Sequence, residues 1–466
     1  MEIVSWNING VRTTRVDETQ GSSLKVLLDS LRADVICLQE TNQLLTDLLD
    51  EPTAIVEGYN AYFSFSRARN GYSGVVTYCK NSAIPIAAEE GLSGLLVGHG
   101  NSVGCYGDMS DFSTNELQAL DAEGRAVITQ HHIVVEGGAE TVTVVNVYCP
   151  RADPERPDRA AFKLRFYKLL QLRVEAILSS GSHVVLLGDM NTAHQLGDHC
   201  DPDDPVSETR LLENDSCAPK SVSGGHFVDA FRLLHPNLEG AYTCWSAVTG
   251  ARATNYGTRI DYVFLDRHLA QRALVACTID SDVYGSDHCP VRATLRCSLV
   301  PACHVPPLCA RLMPEFSGRQ QKIGAYLLSK PCSRLSTVSS RGVNVSEVVE
   351  VRSASHSALS KRASECRKVK GANSGGQCSQ EVRIGSKTGG CCASQAEKNG
   401  GAAFWKTLLA GPPPPPLCPG HGEAAVLRTV KKSGPNQGRR FYVCARPAGH
   451  AHNPAARCDF FQWTKR

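Results

Sequence analysis

The sequence predicts a mixed α/β protein whose main part consists of two packed β-sheets with helices on the outside. Nine short runs are rich in β-branched and aromatic residues and have strand character, whereas only two stretches place apolar residues at helical spacing. So many strands with so few helices favour two packed sheets over a doubly wound parallel sheet. In chain order the nine predicted strands are MEIVSWNI, ADVICLQE, YNAYFSFS, SGVVTYCK, RAVITQHHIVV, ETVTVVNVYCP, SHVVLLGDMN, RIDYVFLD and PVRATLRC.

The elements between these strands follow from local sequence signals. SSLKVLLDSLR predicts a helix after the first strand, and AAFKLRFYKLLQLRVEAILSS predicts a long helix after the sixth. The long helix begins after DPERPD, where Pro and Asp favour a helix start, and ends at Gly181. VVEGGAETV predicts a hairpin turn between the fifth and sixth strands. Residues 81–124, rich in Gly and Ser, are interpreted as an added loop, which either restricts what enters at the strand ends or is surface decoration.

Charge divides the chain of 466 residues into unlike halves, although the net charge is only +3. Residues 1–300 hold 24 Lys+Arg against 38 Asp+Glu, a balance of −14, and residues 301–466 hold 25 against 8, a balance of +17. A basic C-terminal half is typical of proteins that bind nucleic acid or another polyanion. No apolar run approaches the roughly 18 residues of a membrane span, so we expect no membrane association.

Composition also predicts three regions. Residues 1–298 carry all the predicted strands. Residues 299–417 are dominated by Pro, Ser, Gly and basic residues, end in five prolines at 412–416, and are predicted to be a disordered linker. Residues 418–466 regain aromatic residues and predict a small third domain. The cysteines number 20, and those before residue 300 have no repeated spacing, which favours reduced, buried thiols over a disulfide framework.

Polar and acidic residues stand at the ends of five predicted strands. Strand ends meet at one rim of a sheet, where a rigid scaffold can hold several ligands. Asp, Glu and Asn oxygens are hard ligands that suit Mg²⁺ or Mn²⁺. One such Asp is usually a turn or capping residue, but five together are hard to explain as turns. The segments are Trp6-Asn7-Ile8-Asn9, Leu38-Gln39-Glu40, Gly188-Asp189-Met190-Asn191, Arg259-Ile260-Asp261-Tyr262 and Ser286-Asp287-His288-Cys289-Pro290.

In this order the five motifs resemble those of the endonuclease/exonuclease/phosphatase superfamily. Within it, WNING, LQE, NVYCP, GDMN, RIDYVFLD and SDHCP resemble the class II apurinic/apyrimidinic endonucleases over residues 1–298. The resemblance implies a four-layer α-β-β-α sandwich. It also implies a Mg²⁺-dependent (or Mn²⁺-dependent) DNA repair nuclease with 3′–5′ exonuclease, 3′-phosphodiesterase and abasic-site endonuclease activity.

The resemblance also implies roles for individual residues. Asn7, Glu40 and Asp287 would hold the catalytic metal, and Asp189 would deprotonate the attacking water with help from Asn191. His288, oriented by Asp261, would contact the scissile phosphate, and Tyr148 would stabilise the departing oxygen. A second metal would be held by three of these residues, Asp189, Asn191 and His288. A divalent ion neutralises the anionic phosphodiester and activates water, which is where most of the catalysis should arise.

Three positions qualify the resemblance. Arg151 stands where the major enzymes of the family have an Asn that positions the phosphate, and Asn9 stands where they have an Asp near the metal. Both departures predict weaker incision at abasic sites. Trp245 belongs to a stretch that in the family helps to form the pocket for an extruded abasic sugar, and the alternative is that it is a core residue.

The C-terminal module contains two pairs of potential zinc ligands. Cys418 and His421 form a C-x2-H pair, and Cys444 and Cys458 follow, which together satisfy a tetrahedral structural Zn²⁺ site. A core of under fifty residues needs the folding energy that such a metal supplies. The rival ligands His450 and His452 lie in a Pro/Ala loop, where we expect them to face solvent.

The residues around these ligands resemble a GRF-type zinc finger, with Gly438-Arg439-Arg440-Phe441 as its signature. Cations beside planar rings are what single-stranded nucleic-acid binding requires. The alternative is that the rings form the core of the finger and the charges only increase solubility. The predicted DNA-binding residues are Lys431, Lys432, Arg439, Arg440, Phe441 and Tyr442, together with Trp245 of the first domain. A long linker followed by a GRF finger is typical of one branch of the class II enzymes.

Short motifs in the linker suggest partners and location. Gln320, Ile323, Tyr326 and Leu327 resemble a box that binds the sliding clamp PCNA, although Leu327 replaces the usual second aromatic. KRASECRKVK at 361–370 is either a nuclear localisation patch or a solvated charge run. We expect a nuclear monomer, shared with mitochondria or cytoplasm.

Two further function classes compete with the repair nuclease. One is a DNA-damage signalling scaffold that binds single-stranded DNA and PCNA with minor catalysis, which the intact acidic set argues against. The other is a phosphatase of inositol lipids or sphingomyelin, in which a basic GRF finger would have no purpose.

Overall fold

The computed structural model describes residues 1–10, 24–42, 51–69, 71–97, 102–153, 155–201, 225–314, 316, 415–432 and 434–464. The strands of the N-terminal region are β1 (Glu2–Asn7), β2 (Val35–Gln39), β3 (Tyr59–Ser64), β4 (Val75–Lys80), β5 (Ala87–Glu90), β6 (Ala126–Val135), β7 (Gly138–Tyr148), β8 (His183–Asp189), β9 (Phe227–Asp229), β10 (Cys244–Trp245), β11 (Gly257–Thr258), β12 (Asp261–Asp266), β13 (Leu274–Ile279), β14 (Val291–Leu295) and β15 (Ser298–Val300). The α-helices are α1 (Leu24–Ser30), α2 (Glu51–Ala54), α3 (Thr114–Asp121), α4 (Pro157–Ser179), α5 (Ala230–Leu234) and α6 (Arg267–Ala273). Short 3-10 helices span Asn81–Ala83, Leu196–Asp198, Ala247–Thr249, Ala251–Thr254 and Ala310–Leu312.

Two large sheets form the centre of the N-terminal region. The first has the strand order β13-β14-β1-β2-β4-β3, and the second has the order β15-β6-β7-β8-β12-β9, with β5 paired to β6. The neighbours β1 and β2 are parallel, as are β7 and β8, and the other pairings within both sheets are antiparallel. All nine strands predicted from the sequence are present, and so are the two helices and the β6–β7 hairpin turn.

Alternation of side chains along the strands explains why these sheets pack into four layers. In β1, Ile3 points into the core between the sheets, whereas Val4 and Trp6 point to the outer core beneath α1. In β8, Leu187 points between the sheets and Leu186 points to the outer core beneath α3 and α4. The order α1, first sheet, second sheet, α3–α4 is the four-layer α-β-β-α sandwich that the family resemblance implies.

The segment predicted as an added loop at residues 81–124 is part of the core instead. Strand β5 pairs with β6 along its whole length, and Leu92, Leu117 and Leu120 are buried in the outer core with α4. Helix α3 is capped by Ser113, whose side chain accepts a hydrogen bond from the backbone N–H of Glu116. The sequence did not reveal this because β5 has only four residues and Gly and Ser surround it.

The packed region also continues beyond the predicted end at residue 298. Strand β15 pairs with β6, and Ala302 N–H donates to the carbonyl of Ile84 at 3.0 Å. Cys309 and Phe316 are buried, the latter in the outer core of the first sheet. Apolar side chains at 299–316 therefore complete the fold, and the linker cannot begin at residue 299. Most of the predicted linker lies outside the described residues, so its disorder remains a prediction.

The C-terminal module is a three-stranded antiparallel sheet, β16 (Val426–Thr429), β17 (Arg440–Val443) and β18 (Phe461–Trp463). Together with the described residues of the N-terminal region it belongs to one compact unit. All cysteines in the described ranges are free thiols, which agrees with the prediction of reduced cysteines. Within the same ranges, no helix has the length and apolar character needed to cross a membrane.

Candidate active site and zinc centre

The polar residues predicted at the strand ends meet between the two sheets. Asn7 lies two and four residues beyond Ser5 and Ile3, so it faces the space between the sheets as they do. In the second sheet, the cross-strand partners of Asp189 are Tyr148 on one side and Asp261 on the other. The inward stripe of each strand is therefore apolar along most of its length and polar at one end, which places the site at a single edge of the sandwich.

Asn7 links the two sheets at this edge. It is fully buried, and its amide nitrogen donates to Glu40 Oε1 at 2.9 Å and to Asp189 Oδ2 at 2.9 Å. Its side-chain oxygen accepts the backbone N–H of Asn9 at 3.1 Å. Glu40 has a φ of 51°, a left-handed conformation that costs a non-glycine residue of order 1–3 kcal/mol and is typical of functional sites. Asn7 of the WNIN motif thus joins the carboxylate of Glu40, from the LQE motif, to that of Asp189.

His288 is oriented by a buried carboxylate. Its Nδ1 lies 2.8 Å from Asp261 Oδ2, and the hydroxyl of Thr243 donates to the same oxygen at 2.6 Å. The other ring nitrogen, Nε2, lies 4.0 Å from Asp189 Oδ2. Burial opposes protonation, but the carboxylate of Asp261 outweighs it and holds the pKa of His288 well above its ordinary value. Asp261 therefore favours the protonated imidazole, in which Nε2 carries an N–H.

Asp189 lies at the centre of the acidic cluster. Burial and the negative charges of Asp261 and Glu40 raise the pKa of Asp189 to about 7, against the opposing effect of His288. Its Oδ1 accepts the backbone N–H of Asn191 at 2.7 Å, and Asn191 has a left-handed φ of 51°. A carboxyl group that titrates near neutrality is well matched to proton transfer.

Glycine at the preceding position permits this strand end to approach its neighbour. Gly188 has a φ of +138°, and a β-carbon on it would lie 1.8 Å from the carbonyl oxygen of Val147. Only glycine fits there, because the conflicting atom belongs to the backbone of β7. The Gly of the GDMN motif therefore has a structural reason independent of the chemistry.

Tyr148 is held beside Glu40 by a second layer of contacts. The guanidinium of Arg125 lies 4.7 Å from the centre of the Tyr148 ring and donates to the Tyr148 carbonyl at 2.9 Å. Burial and the charges of Glu40 and Asp189 raise the pKa of Tyr148 well above its ordinary value. The phenol therefore keeps its proton at neutral pH and can donate a hydrogen bond or the proton itself.

Asp287 completes the cluster from the loop that precedes β14. Its Oδ1 accepts hydrogen bonds from Asn9 Nδ2 at 3.1 Å and from Ser286 Oγ at 3.2 Å, while its carbonyl accepts the backbone N–H of Trp245 at 2.9 Å. Asn9, which replaces an Asp in the family pattern, is therefore a donor to a carboxylate and adds no negative charge of its own.

The donor set fits a hard divalent cation. Asp189, Asp261 and His288 place one ligand atom each within 4.8 Å of one another, and Asn7 joins Glu40 to the same group. Burial, together with the negative charges of Asp261 and Glu40, raises the pKa of Asp189, and a bound cation would relieve the charge repulsion. Asp261 Oδ1 is buried without a hydrogen-bond partner among the described residues. This unsatisfied acceptor also favours a bound cation at the site. Oxygen atoms dominate the set, which suits magnesium or manganese.

Two residues support this cluster in a way that the sequence analysis did not predict, since Lys163 was not singled out and Arg259 was named only as part of a strand-end segment. Arg259 precedes the Asp261 strand, is 1% exposed, and donates to Asp198 at 2.9 Å and to Asp229 at 2.7 Å. Lys163 of α4 donates to the carbonyl of Asn191 at 2.8 Å. In the sequence, Arg259 is a cation in a strand-end segment and Lys163 is a cation in an amphipathic helix. Cations at such positions are usually exposed to solvent, so neither residue attracted attention.

Trp245 is a core residue, which was the alternative to its predicted role in binding DNA. It is 4% exposed, and its indole N–H donates to the side-chain oxygen of Asn255 at 3.1 Å. A β-carbon on Gly257 would lie 2.5 Å from the ring, so the strand pair β10–β11 covers the Trp245 ring closely. Trp245 therefore supports the site from behind and offers little surface to DNA.

The four predicted zinc ligands also converge. Cys418 Sγ lies 3.0 Å from Cys458 Sγ, and His421 Nδ1 lies 3.4 Å from the sulfurs of Cys418 and Cys444. All four ligand atoms lie within 4.8 Å of one another, as a tetrahedral zinc site requires. The rival ligand His450 is exposed and stacks edge-on against Tyr256 at 5.2 Å between ring centres. His452 is exposed as well.

The predicted DNA-binding residues of the finger are divided between the two faces of its sheet. Phe441 packs against Phe461 and Trp463, with ring centres 5.0 and 5.7 Å apart, and Arg439 lies 3.9 Å above the Trp463 ring. Strand alternation places Arg440 and Tyr442 on the opposite face. Lys431 is exposed, whereas Lys432 forms an ion pair with Glu155 of the N-terminal region. The planar rings with a stacked cation therefore form one face, and the predicted patch is not continuous.

Comparison with known proteins agrees with the class that the fold and the acidic edge define. The model of the Endonuclease/Exonuclease/phosphatase family matches residues 4–288, and that of the GRF zinc finger matches residues 416–466. The DNA-(apurinic or apyrimidinic site) endonuclease 2 of Xenopus laevis is 47% identical, covering 99% of this chain and 98% of the relative. The human enzyme of the same name is 46% identical, covering 100% and 99%. An exodeoxyribonuclease of Bacillus subtilis is 31% identical over 62% of this chain and 98% of the relative.

A solved structure supports the same assignment. The crystal structure of the Xenopus laevis APE2 catalytic domain is 55% identical, has a TM-score of 0.62, and covers 69% of this chain and 100% of its own length. The chain belongs to the endonuclease/exonuclease/phosphatase family and, within it, to the family of DNA-(apurinic or apyrimidinic site) endonuclease 2. Its fold and family are those of a nuclease, a hydrolase of phosphodiester bonds, and it carries a candidate metal site at Asp189, Asp261 and His288.

Proposed function

We propose that this protein is a Mg²⁺-dependent DNA repair nuclease that removes nucleotides and blocking groups from 3′ ends in the 3′–5′ direction. It also cleaves 5′ to abasic sites, more weakly. The observation that carries the proposal is the buried group in which Asp189 lies among Asn7, Asp261 and His288 at the edge of the two sheets. The names of the relatives, an exodeoxyribonuclease and endonucleases of apurinic or apyrimidinic sites, support the two activities.

The residues divide the work of hydrolysis according to their positions. Asn7, Glu40 and Asp287 would hold the Mg²⁺ ion. When bound, this ion neutralises phosphate charge and lowers the pKa of water. Asp189 accepts a proton from the attacking water, and His288 donates its Nε2 proton in a hydrogen bond to a phosphate oxygen.

Two further residues, Tyr148 and Asn191, complete this division of work. Tyr148, which keeps its proton, donates to the departing oxygen. Asn191 holds Asp189 through its backbone N–H, and it joins Asp189 and His288 as the candidate set for a second metal position.

Weaker incision at abasic sites follows from the position of Asn9. In this chain its amide donates to Asp287, so it lowers the negative charge around the metal position compared with the Asp of the family pattern. Arg151, the second departure, replaces a neutral hydrogen-bonding group near the strand end with a cation. Both changes alter how a phosphate is positioned, and they leave the acidic cluster itself intact.

The other regions would bring the nuclease to its substrate. The finger, with Zn²⁺ on Cys418, His421, Cys444 and Cys458, would hold single-stranded DNA through the ring face of its sheet. The predicted PCNA box at Gln320, Ile323, Tyr326 and Leu327 lies outside the described residues, so recruitment by the clamp remains a sequence-based prediction. We propose a nuclear monomer, shared with mitochondria or cytoplasm. The alternative function, a signalling scaffold with minor catalysis, is disfavoured because such a role needs no buried acidic cluster.

The decisive experiment compares nucleolytic products from the full chain and one variant. A labelled duplex with a recessed or mismatched 3′ end, and beside it an abasic duplex, is incubated with Mg²⁺. We expect stepwise 3′ shortening and slower abasic incision from the wild type, and a loss of about 10²–10⁴-fold in Asp189→Asn. Asp280→Asn, on a surface ion pair with Arg292, is the matched control and should behave as wild type. No product from the wild type, or equal product from Asp189→Asn, would refute the nuclease mechanism and favour the scaffold.

A further inference from the structure

A loop of the zinc finger packs on a segment of the N-terminal region. We call residues 447–450 the finger loop and residues 247–256 the docking segment. The backbone N–H of Ala448 donates to the carbonyl of Thr249 at 3.0 Å, and the hydroxyl of Thr254 donates to the carbonyl of Ala448. Ala448 is 6% exposed and is buried in one apolar cluster with Tyr242, Trp245 and Ala251. Both polar groups of the Ala448 backbone are thus satisfied by the docking segment, as in an internal contact.

Close packing extends along the finger loop. A β-carbon on Gly250 would lie 3.6 Å from the β-carbon of Pro447, and one on Gly449 would lie 3.2 Å from Thr254. The guanidinium of Arg428, on β16, donates to the carbonyl of Val248 at 3.0 Å. Added to the stacking of His450 on Tyr256, these contacts involve every residue of the finger loop.

The docking segment is connected to the active site on its other side. Arg252 places its guanidinium 4.7 Å from the Trp245 ring and donates to the carbonyl of Ser286 at 3.3 Å. Trp245 donates its backbone N–H to Asp287, and Cys244 forms a β-bridge with His288. The docking segment therefore lies between the finger and the loop that carries two of the proposed active-site residues.

Charge favours the same contact. Residues 1–300 have a formal balance of −14, and residues 418–466 hold nine Lys+Arg against two Asp+Glu, a balance of +7. Opposite net charges attract two parts of one chain and raise their rate of encounter. The ion pair between Lys432 and Glu155 is exposed and contributes little to stability by itself, but it marks the direction of the attraction.

We propose that residues 247–256 are a docking site whose occupant is the zinc finger of the same chain, and that docking stabilises the loop at 286–288. The finger then presents its ring face at a fixed place beside the acidic cluster, so a strand held there is delivered to the metal site in one orientation. This delivery rests on the proposed nuclease function. The docking itself does not, and it is measured separately.

The first test is a cross-link within the full chain. The 3.6 Å between the Gly250 and Pro447 β-carbon positions lies in the range of disulfides, about 3.5–4.5 Å. Gly250→Cys combined with Pro447→Cys should form a 250–447 link under mild oxidation, found by mass spectrometry of the linked peptide, at a rate independent of protein concentration. The control pairs Pro447→Cys with Gly137→Cys, since Gly137 shares the left-handed backbone and lies in the β6–β7 turn. Linking no better than the control would overturn the docking site.

The second test needs no new cysteine and no activity. Ala448→Glu places a charge in the apolar cluster that Ala448 shares with Trp245 and Ala251, whereas Ala445→Glu is the matched control on the exposed surface. Hydrogen exchange of the amides in residues 247–256 should become about tenfold faster in Ala448→Glu and stay unchanged in Ala445→Glu. Retention of bound zinc shows that the finger remains folded. Unchanged exchange in Ala448→Glu would overturn the proposal, whether or not the protein proves to be a nuclease.

Discussion

The buried ion network around Arg259 allows a quantitative prediction. Arg259→Met keeps most of the side-chain volume but removes three charge-assisted hydrogen bonds, two to Asp198 at 2.9 Å and one to Asp229 at 2.7 Å. Removing one partner of a buried pair costs about 3–5 kcal/mol, because the remaining charges stay buried. Asp198 keeps a bond of 2.5 Å from Arg232, and Asp229 keeps the backbone N–H groups of α5, so the lower end applies. We therefore expect a loss of about 3 kcal/mol in the free energy of unfolding.

The assay is equilibrium unfolding of the full chain in urea, followed by circular dichroism of the two large sheets. Arg272→Met is the matched control, because Arg272 makes comparable contacts to Glu136 and Glu140 at the surface. The midpoint should fall clearly for Arg259→Met and hardly for Arg272→Met. Equal midpoints for the two variants would refute the reasoning that burial, and not the number of ion pairs, determines the cost.

Three further predictions concern the acidic edge, the finger and a histidine outside both. Asp261→Asn should lower nuclease activity by about 10²–10⁴-fold without unfolding the chain, and a variant that keeps full activity would disprove the orienting role. Chelation of zinc, or Cys444→Ser, should abolish single-strand binding and make residues 415–464 sensitive to protease, whereas a finger that stays resistant would contradict a structural zinc site. The hydrogen bond to Asp266 raises the pKa of His183, and the hydrogen bond to Glu140 adds to this effect. Burial of the imidazole opposes the shift but does not cancel it. Its stabilising contribution should therefore be complete below the unfolded pKa and be lost as pH rises through the higher folded value, and a His183→Gln variant with the same pH dependence of unfolding as wild type would exclude it.

Most of the fold could be predicted because alternation along a strand is a local signal. The inward stripe of β8, with Val185, Leu187 and Asp189, shows both the buried face and the polar end in seven residues. The elements that were missed are short or lack alternation. Strand β5 has four buried residues, two of them glutamates, and the strand at Ser298–Val300 has only three residues. Both are held by pairing to β6, which no local pattern reports.

The active-site motifs could be predicted from residue type and order, but their supports could not. Thr243 and Arg125 act on Asp261 and Tyr148 through side-chain contacts with residues 18 and 23 positions away in the sequence. Nothing near Thr243 in the sequence distinguishes it from a solvated threonine. Trp245 was recognised in the sequence, but its role could not be assigned. A tryptophan suits both a pocket wall and a core, and only its burial in the structure decides between the two.

The way in which the acidic edge draws its residues from the whole chain has a consequence during protein synthesis. Asn7 comes from the first strand, whereas Asp287 and His288 come from the end of the domain. The backbone carbonyl of Asn7 and the side chain of Asn9 therefore meet partners about 280 residues away, Ser286 and Asp287. Nascent chains shorter than this hold only part of the cluster, and contacts so distant in sequence form late in folding. A nascent chain that ends before residue 288 therefore lacks part of the group proposed to cut a phosphodiester bond. Hydrolytic capacity is acquired only on completion of the domain, which protects nucleic acids from immature copies of the enzyme.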